Sequence, residues 1–214
     1  MTSLTDAFVK LHARLAPVPF VPEVLLHQAD EPIGLWELTE GEFRSEQPPP
    51  FWAFAWAGGQ GLARFVLDNP DVVAGERVLD LASGSGLVAI AAARAGALSV
   101  RAVDIDPLSV AAIQLNAAAN EVVVAAEQAD VLDGPAGDAS VVLVGDVFYS
   151  RELASRMTRF LRRAARAGAA VYAGDPGRAF FPPGGGTEVA SYDVPTPTAL
   201  ESVRVKHTVV WRVP

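Results

Sequence analysis

The stretch Arg77 to Asp106, RVLDLASGSGLVAIAAARAGALSVRAVDID, constrains the chain more than any other. Val78 to Leu81 is a short apolar run of the kind that forms a buried parallel strand. Ser83-Gly84-Ser85-Gly86 then turns the chain, because glycine takes positive φ readily and lets a ligand approach the backbone. Leu87 to Ala97 is alanine-rich, with no proline and no glycine before Gly96, which predicts a helix. Ser99 to Val103 is the next strand, and Asp104 stands at its carboxyl end. Together these make one βαβ unit, and ligands of such units bind at the mouth formed by the strand ends.

Two ligands compete for that mouth. Gly84-x-Gly86-x-x-Ala89 satisfies the dinucleotide pattern, and Asp104 lies 18 residues after Gly86, near the spacing of about 20 expected for a ribose-binding acid. Asp80 weighs against a dinucleotide, since a carboxylate at the end of the first strand repels a pyrophosphate a few Å away. The same carboxylate suits the cationic amino group of S-adenosylmethionine (SAM). That ligand carries no phosphate and needs no Lys or Arg at the helix N-terminus. SAM is therefore the expected ligand, with NAD and a purely structural glycine turn as the competing readings.

A chain of 214 residues, half of them apolar, fits one α/β domain with an appendage. Its formal net charge of −8, from 17 basic and 25 acidic residues, disfavours a nucleic-acid backbone as main partner. The basic run Arg156, Arg159, Arg162, Arg163 and Arg166 has helical spacing. It reads as a solvated helix face, with a docking patch for an acidic protein as the sharper alternative. There is no cysteine, and the three histidines, His12, His27 and His207, are scattered, so no metal site is expected. The first residues, MTSLTDAFVKLHARL, have an amphipathic pattern rather than that of a signal peptide. No stretch is long and apolar enough to span a bilayer. The expectation is a cytoplasmic enzyme with neither membrane nor nucleic acid as partner.

In chain order, Leu4 to Leu15 is expected to be a helix with Leu4, Phe8, Leu11 and Leu15 on one face, ended by Pro17, Pro19 and Pro22. Val21 to Gly41 mixes apolar and acidic residues and is compatible with strands or with a loop over the main domain. Residues 1–46 are read as an N-terminal extension packed on or over the active site, and 47–214 as the main domain. After the prolines before Phe51, Gly58-Gly59 precedes a helix from Gln60 to Leu67. The rings Trp52, Phe54 and Trp56 are either core filler or the lining of a ligand mouth, where each aromatic face attracts a cation by ~0.5–2 kcal/mol. A helix from Pro107 to Asn120 and a third strand, Val122 to Ala126, lead to Asp130. The fourth strand, Val141 to Val144, runs into Gly145-Asp146-Val147-Phe148-Tyr149. A helix from Arg151 to Arg166 precedes a fifth strand, Ala169 to Ala173, which runs into Gly174-Asp175-Pro176-Gly177-Arg178. Glu188 to Val194 and Val203 to Val213 suit an antiparallel pair at a sheet edge. The pattern predicts five strand–helix units and a final β-pair. This is an α/β, Rossmann-like, doubly wound seven-stranded sheet, mostly parallel, with an antiparallel last strand and helices on both faces.

Asp80-x-x-x-Gly84-x-Gly86 after the first strand, Asp104 after the second and Asp146-x-x-Tyr149 after the fourth resemble, in that order, the class I (seven-β-strand) SAM-dependent methyltransferases. Within that class, PPFWAFAWAGGQGLARFVLDNPDVV, VLDLASGSG, VDIDP, GDVFY and GDPGR resemble the lysine methyltransferases that modify the β-subunit of electron transfer flavoprotein, including their bacterial relatives. The resemblance implies a protein-lysine N-methyltransferase that uses SAM and releases S-adenosylhomocysteine (SAH). By position it implies that Asp80, Gly84 and Gly86 hold the methionine part of SAM, that Asp104 binds the ribose hydroxyls and that Asp130 flanks the adenine. Trp56, Gly59, Ala82, Ile105 and Gly145 complete the implied cofactor site. Asp146 and Tyr149 are implied to receive the target lysine, and Trp52, Phe54, Asp175 and Arg178 to contact substrate. Ala82 stands where many class I enzymes carry Gly, and alanine is tolerated there if its φ stays negative. Methylation of a small amine or of another protein is the alternative function, followed by a non-catalytic SAM-binding module.

Overall fold

The structure, a computed structural model, describes residues 3–29, 49–196, 201 and 203–214. Helix α1 (Leu4–His12) starts from a capping box in which the Asp6 backbone N–H donates to Ser3 Oγ (3.0 Å) and the Ser3 N–H to Asp6 Oδ2 (3.2 Å). It stops three residues short of Leu15, because β1 (Arg14–Val18) and β2 (Val21–Gln28) pair as an antiparallel hairpin that takes in Leu15, Pro17 and Pro22. The buried side of α1 also differs from the expected one. Val9 is fully buried beside Trp52 and Ala112, whereas Leu4 and Leu11 are 92% and 79% exposed. Residues 30–48, which hold the rest of the expected N-terminal segment, lie outside the described residues.

Helix α2 (Ala57–Asp68) begins earlier than expected and absorbs Gly58 and Gly59 into its first turn. Then follow β3 (Arg77–Leu81), α3 (Leu87–Arg94), β4 (Ser99–Asp104), α4 (Pro107–Ala119) and β5 (Ala125–Gln128). The chain ends with β6 (Val141–Gly145), α5 (Arg151–Arg166), β7 (Ala170–Asp175), β8 (Thr187–Pro195) and β9 (Val205–Val213). The seven-stranded sheet has the order β5-β4-β3-β6-β7-β9-β8, with β9 antiparallel to both of its neighbours. Successive side chains of a strand point to opposite faces. Val78, Val141 and Leu143 accordingly join α2, α3 and the hairpin in one core, while Leu79, Leu81, Val142 and Val144 join α5 in the other. Among the described residues no helix is long and apolar enough to cross a membrane.

The expected five strand–helix units reduce to three, β3–α3, β4–α4 and β6–α5. Residues 129–140 and 176–186 carry turns instead, since Gly134-Pro135 and Gly137 in the first, and Pro182-Pro183 with Gly184 to Gly186 in the second, disfavour helix. The third strand lies further along than Val122 to Ala126. Glu121 turns with φ 56°, and the Val122 N–H donates to Ala117 O (3.1 Å), so this residue closes α4 before the sheet resumes at Ala125.

The hairpin is docked by two asparagines four residues apart, Asn116 on α4 and Asn120 at its C-cap. Leu25 N–H donates to Asn120 Oδ1 (2.9 Å) and His27 N–H to Asn116 Oδ1 (2.8 Å), so the amides stand in for a neighbouring strand. Asn116 Nδ2 donates onward to Ser85 O (2.8 Å), tying the hairpin to the glycine-rich turn.

Candidate active site

Parallel strands bring their carboxyl ends to one edge, and there the ends of β3, β4 and β6 surround a cavity of about 380 Å³. On the β3–β4 side, Asp80 is 1% exposed. Its Oδ2 accepts from Ser83 Oγ (2.5 Å) and from the Ala89 N–H (3.1 Å). Asp104 Oδ2 accepts from the Gly84 N–H (2.8 Å) and its Oδ1 from the Asp106 N–H (3.0 Å). Asp106 caps α4 by accepting from the Leu108 N–H (2.9 Å), ahead of Pro107 in the first turn. Among the described residues, no Lys or Arg pairs with these three acids. Burial without a compensating cation disfavours the charged form. It pushes Asp80 up to about 7 and Asp106 up to about 6, with the Asp104 charge adding to both, and Asp104 itself is raised by burial.

The β6 side is built differently. Asp146 follows β6 with φ 62° and is 7% exposed. Its Oδ2 accepts the Gly58 N–H (2.9 Å), one of the free amides in the first turn of α2, and its Oδ1 accepts from Arg178 Nε. Glycine at position 58 is required by close approach, since a Cβ there would lie 2.5 Å from Gly174 O and 2.7 Å from Asp146 N. Arg178 also donates to Glu201 Oε1 (2.7 Å), and Lys206 pairs with Glu201 Oε2 (2.7 Å). Burial alone would raise Glu201, but its bonds to Lys206 and Arg178 outweigh that and hold it below its usual value. An aromatic wall joins the two sides. The Phe51 ring stands 5.3 Å from Tyr149 and 5.9 Å from Trp56, which stands 5.8 Å from Phe54. The Tyr149 phenol is raised by partial burial and by the charges of Asp104 and Asp146.

Most of the residues singled out from the sequence meet in this cavity: Phe54, Trp56, Gly59, Asp80, Ala82, Gly84, Asp104, Ile105, Asp130, Gly145, Asp146, Tyr149 and Arg178. Three do not. Trp52 is fully buried between α1 and α4, so this ring is core filler. Gly86 turns the chain with φ 82° at the start of α3, and a Cβ there would lie 3.3 Å from Ile113 of α4; its work is packing. Asp175 stands behind the lining and accepts the Gly177 (2.8 Å) and Arg178 (3.0 Å) N–H groups, which shapes the turn that carries Arg178. Ala82 departs from expectation, because its φ is 50°, in the left-handed region. Asp146 does not cap the helix after it, since Ser150 takes that place.

Several further residues line the cavity. Leu153, Arg156 and Met157 face the cavity from α5, at the i, i+3, i+4 spacing of one helix face. Arg156 and Arg163 share the spacing of the basic helix face, yet Arg156 grips Asp130 (2.9 and 3.0 Å) and Asp133 (2.7 Å), and Arg163 donates to the carbonyls of Leu132 and Gly134. These arginines hold the loop after β5, and the bond from Arg156 lowers Asp130. Arg159, Arg162 and Arg166 are exposed, as a solvated face requires.

The cavity is of a size that takes a cofactor, and its acids lack cations on the side where a ligand with an ammonium and ribose hydroxyls would supply donors. The two arginines in the lining, Arg156 and Arg178, are held by carboxylates, so neither is an unpaired cation for a diphosphate. Sheet order and site together define a class I SAM-dependent methyltransferase.

A family model described as ribosomal protein L11 methyltransferase (PrmA) matches residues 64–166. The chain is 41% identical over 180 residues to the electron transfer flavoprotein beta subunit lysine methyltransferase of Xenopus laevis, covering 82% of this chain and 71% of that protein. It is 36% identical over 197 residues to the protein of that name from Danio rerio, covering 89% and 76%. The chain belongs to the electron transfer flavoprotein β-subunit lysine methyltransferase family. The fold is shared with a ribosomal protein L11 methylase from Lactobacillus delbrueckii (TM-score 0.52, 20% identity, 75% of this chain and 81% of that one). It is shared too with TrmN from Thermus thermophilus (TM-score 0.51, 23% identity, 71% and 48%).

Proposed function

We propose that the chain is a protein-lysine N-methyltransferase whose substrate is the β-subunit of electron transfer flavoprotein, the substrate its relatives are named for. The observation that carries this reading is the meeting in one cavity of the Asp80–Asp104 cradle and the Asp146 carboxylate beside the aromatic wall. When bound, SAM supplies a methyl group on a sulfonium, whose C–S electron pair stays with sulfur as the new N–C bond forms.

In this reading Asp80 and the Gly84 turn hold the methionine part, Asp104 accepts from the ribose hydroxyls and Asp130 flanks the adenine. Trp56, Gly59, Ala82, Ile105 and Gly145 line the same site. The protein's main contribution is positioning. A lysine amine with a pKa near ~10.4 arrives protonated and must shed a proton before its lone pair attacks. Asp146 orients the nitrogen by accepting one of its N–H bonds, while Tyr149, Phe51 and Trp56 exclude water and favour the methylated cation. Ile105 is 63% and Tyr149 46% exposed beside the cavity. Such an apolar rim suits a side chain presented by a protein surface better than a small amine enclosed in a pocket.

The test is the intact mass of purified electron transfer flavoprotein subunits after incubation with the enzyme and SAM. Whole methyl increments on the β-subunit are expected with the wild type and none with Asp146→Ala. No gain on the β-subunit, from an enzyme that binds SAH in a thermal-shift assay, would move the substrate to another amine.

A further inference from the structure

The glycine-rich turn beside the cofactor cavity is held from two directions. On the β4 side, Asp104 Oδ2 accepts the Gly84 N–H (2.8 Å). From behind, Asn116 on α4 donates through Nδ2 to the Ser85 carbonyl (2.8 Å). The N–H that shares that peptide plane, on Gly86, donates to Ser83 O (2.9 Å). The Ser85–Gly86 peptide is thus fixed at both of its polar groups. Gly84 and Gly86, which flank Ser85, have φ of 54° and 82°. Two glycines leave a turn free to take many shapes unless something outside it restricts them.

Asn116 is fully buried. Along one face of α4, Ser109 lines the cavity, Ile113 packs against Gly86 and Asn116 meets Ser85, at i, i+4 and i+7. An asparagine amide has one accepting and one donating end, and its neighbours decide which end faces which partner. Here the N-terminal hairpin decides. Asn116 Oδ1 accepts the His27 backbone N–H (2.8 Å) and lies 2.8 Å from His27 Nδ1, which donates to it in its N–H form. A flipped amide would set donor against donor at His27 and oxygen against oxygen at Ser85. β2 therefore turns the donating end toward the glycine turn. Asn120 docks the same strand differently: it bonds Leu25 N–H (2.9 Å), Leu25 O (2.6 Å) and the Asn116 carbonyl (2.7 Å).

We propose that Asn116 is a positioning residue of the cofactor site: it holds the Ser85–Gly86 peptide in the shape that receives SAM, and the N-terminal hairpin holds Asn116 in turn. None of the residues of β1 or β2 lines the cavity, so the hairpin contributes to cofactor affinity from behind the turn. The contribution is preorganisation, since a turn already in its bound shape spends no binding energy on being ordered. This role depends on the cofactor class alone and not on which amine receives the methyl group.

The experiment is titration calorimetry with SAH on the full chain, for the wild type, Asn116→Ala and Asn120→Ala, well below the melting temperature of each. Both substitutions loosen the hairpin and should lower the melting temperature of the cofactor-free protein. Asn116→Ala should also raise the Kd for SAH by roughly tenfold, the worth of one buried hydrogen bond, whereas Asn120→Ala should change it by less than about twofold. A merely structural Asn116 would behave as Asn120 does. A Kd for Asn116→Ala within about twofold of the wild type overturns the inference. So does an equal loss in both variants, which would trace affinity to a loose hairpin rather than to the held peptide. A second measurement, amide hydrogen exchange at Gly86 in the wild type, needs no variant to fold. That N–H should be protected before SAH is added, because its peptide is held in advance. Free exchange of the Gly86 amide until SAH binds overturns the inference as well.

Discussion

The two halves of the cavity handle buried carboxylates in opposite ways. On the β3–β4 side, Asp80, Asp104 and Asp106 are held by backbone N–H groups and serine hydroxyls, with no pairing cation among the described residues. On the β6–β7 side, Asp146 and Glu201 share Arg178, and Lys206 closes the set. A buried acid without a cation is a standing cost that a cationic ligand relieves, whereas a compensated acid offers hydrogen bonding without demanding charge. The first half is suited to a ligand that brings its own ammonium.

The largest effects should come from crossing the two halves. Asp146→Ala should reduce methyl transfer by roughly 10³-fold or more, since it removes a group engaged at the transfer step. SAH binding should persist. Asp80→Asn keeps the shape and an acceptor for the Ala89 N–H while deleting the charge. It should weaken SAM binding by roughly 10–100-fold, the worth of one charge-assisted hydrogen bond, and raise the melting temperature of the cofactor-free protein. Titration calorimetry with SAM and SAH on both variants checks the pair. Loss of cofactor binding in Asp146→Ala would show that the halves are not separable.

A smaller effect should appear with pH. Asp80 stands at about 7 in the fold against 3.8 in its absence. Between those values the folded protein binds more protons than the unfolded chain, so stability falls as pH rises through that window. The cofactor-free protein should melt lower at pH 8 than at pH 6. Only the ionised carboxylate attracts an ammonium, so SAM affinity should climb by about tenfold from pH 6 to pH 8 and then level off. Affinity that stays flat over this range, measured at constant ionic strength, would mean that Asp80 does not meet the ammonium.

The same contrast explains what was legible in the sequence. The β3–β4 half is local: Asp80, the glycine turn and Asp104 fall within one βαβ unit, and strand periodicity places them together. Asp146 and Tyr149 were also readable, because a strand carboxyl end must open onto the same edge. The compensation was not. Glu201 reaches Arg178 across a sheet order in which β9 inserts between β7 and β8, and no spacing encodes that. Trp52 illustrates the opposite failure. Its neighbours Phe51 and Phe54 face the cavity, but α1 covers Trp52, and the composition of the aromatic segment holds no sign of which ring is covered. The start of α2 was misplaced for a related reason. Gly58 and Gly59 read as helix breakers by propensity, yet both lie in the first turn, and at position 58 only a residue without Cβ lets the helix approach the ends of β6 and β7.

The smallest prediction concerns the residues that leave the two strands. Ala82 follows β3 with φ 50° and Asp146 follows β6 with φ 62°, so each half bends its chain through the left-handed region with a residue that has a Cβ. That conformation costs a non-glycine residue roughly 1–2 kcal/mol, and aspartate tolerates it better than alanine. At Asp146 the side chain justifies the strain, because its carboxylate is gripped from both sides. Ala82 is an exposed residue of the cavity lining, and its side chain has no hydrogen-bonding group to be gripped. Ala82→Gly removes the strain but gives back roughly 0.5–1 kcal/mol through the greater freedom of the unfolded chain. The net gain should be below about 1 kcal/mol, a rise in melting temperature of about 1–3 °C for a chain of this size, with SAM affinity changed less than about twofold. Thermal melts with and without SAH measure both quantities. A higher melting temperature with unchanged affinity would make the strain at Ala82 incidental and that at Asp146 functional. A tenfold loss of affinity would instead show that the stiff left-handed alanine holds the glycine turn ready for the cofactor, and that both halves use strain in the same way.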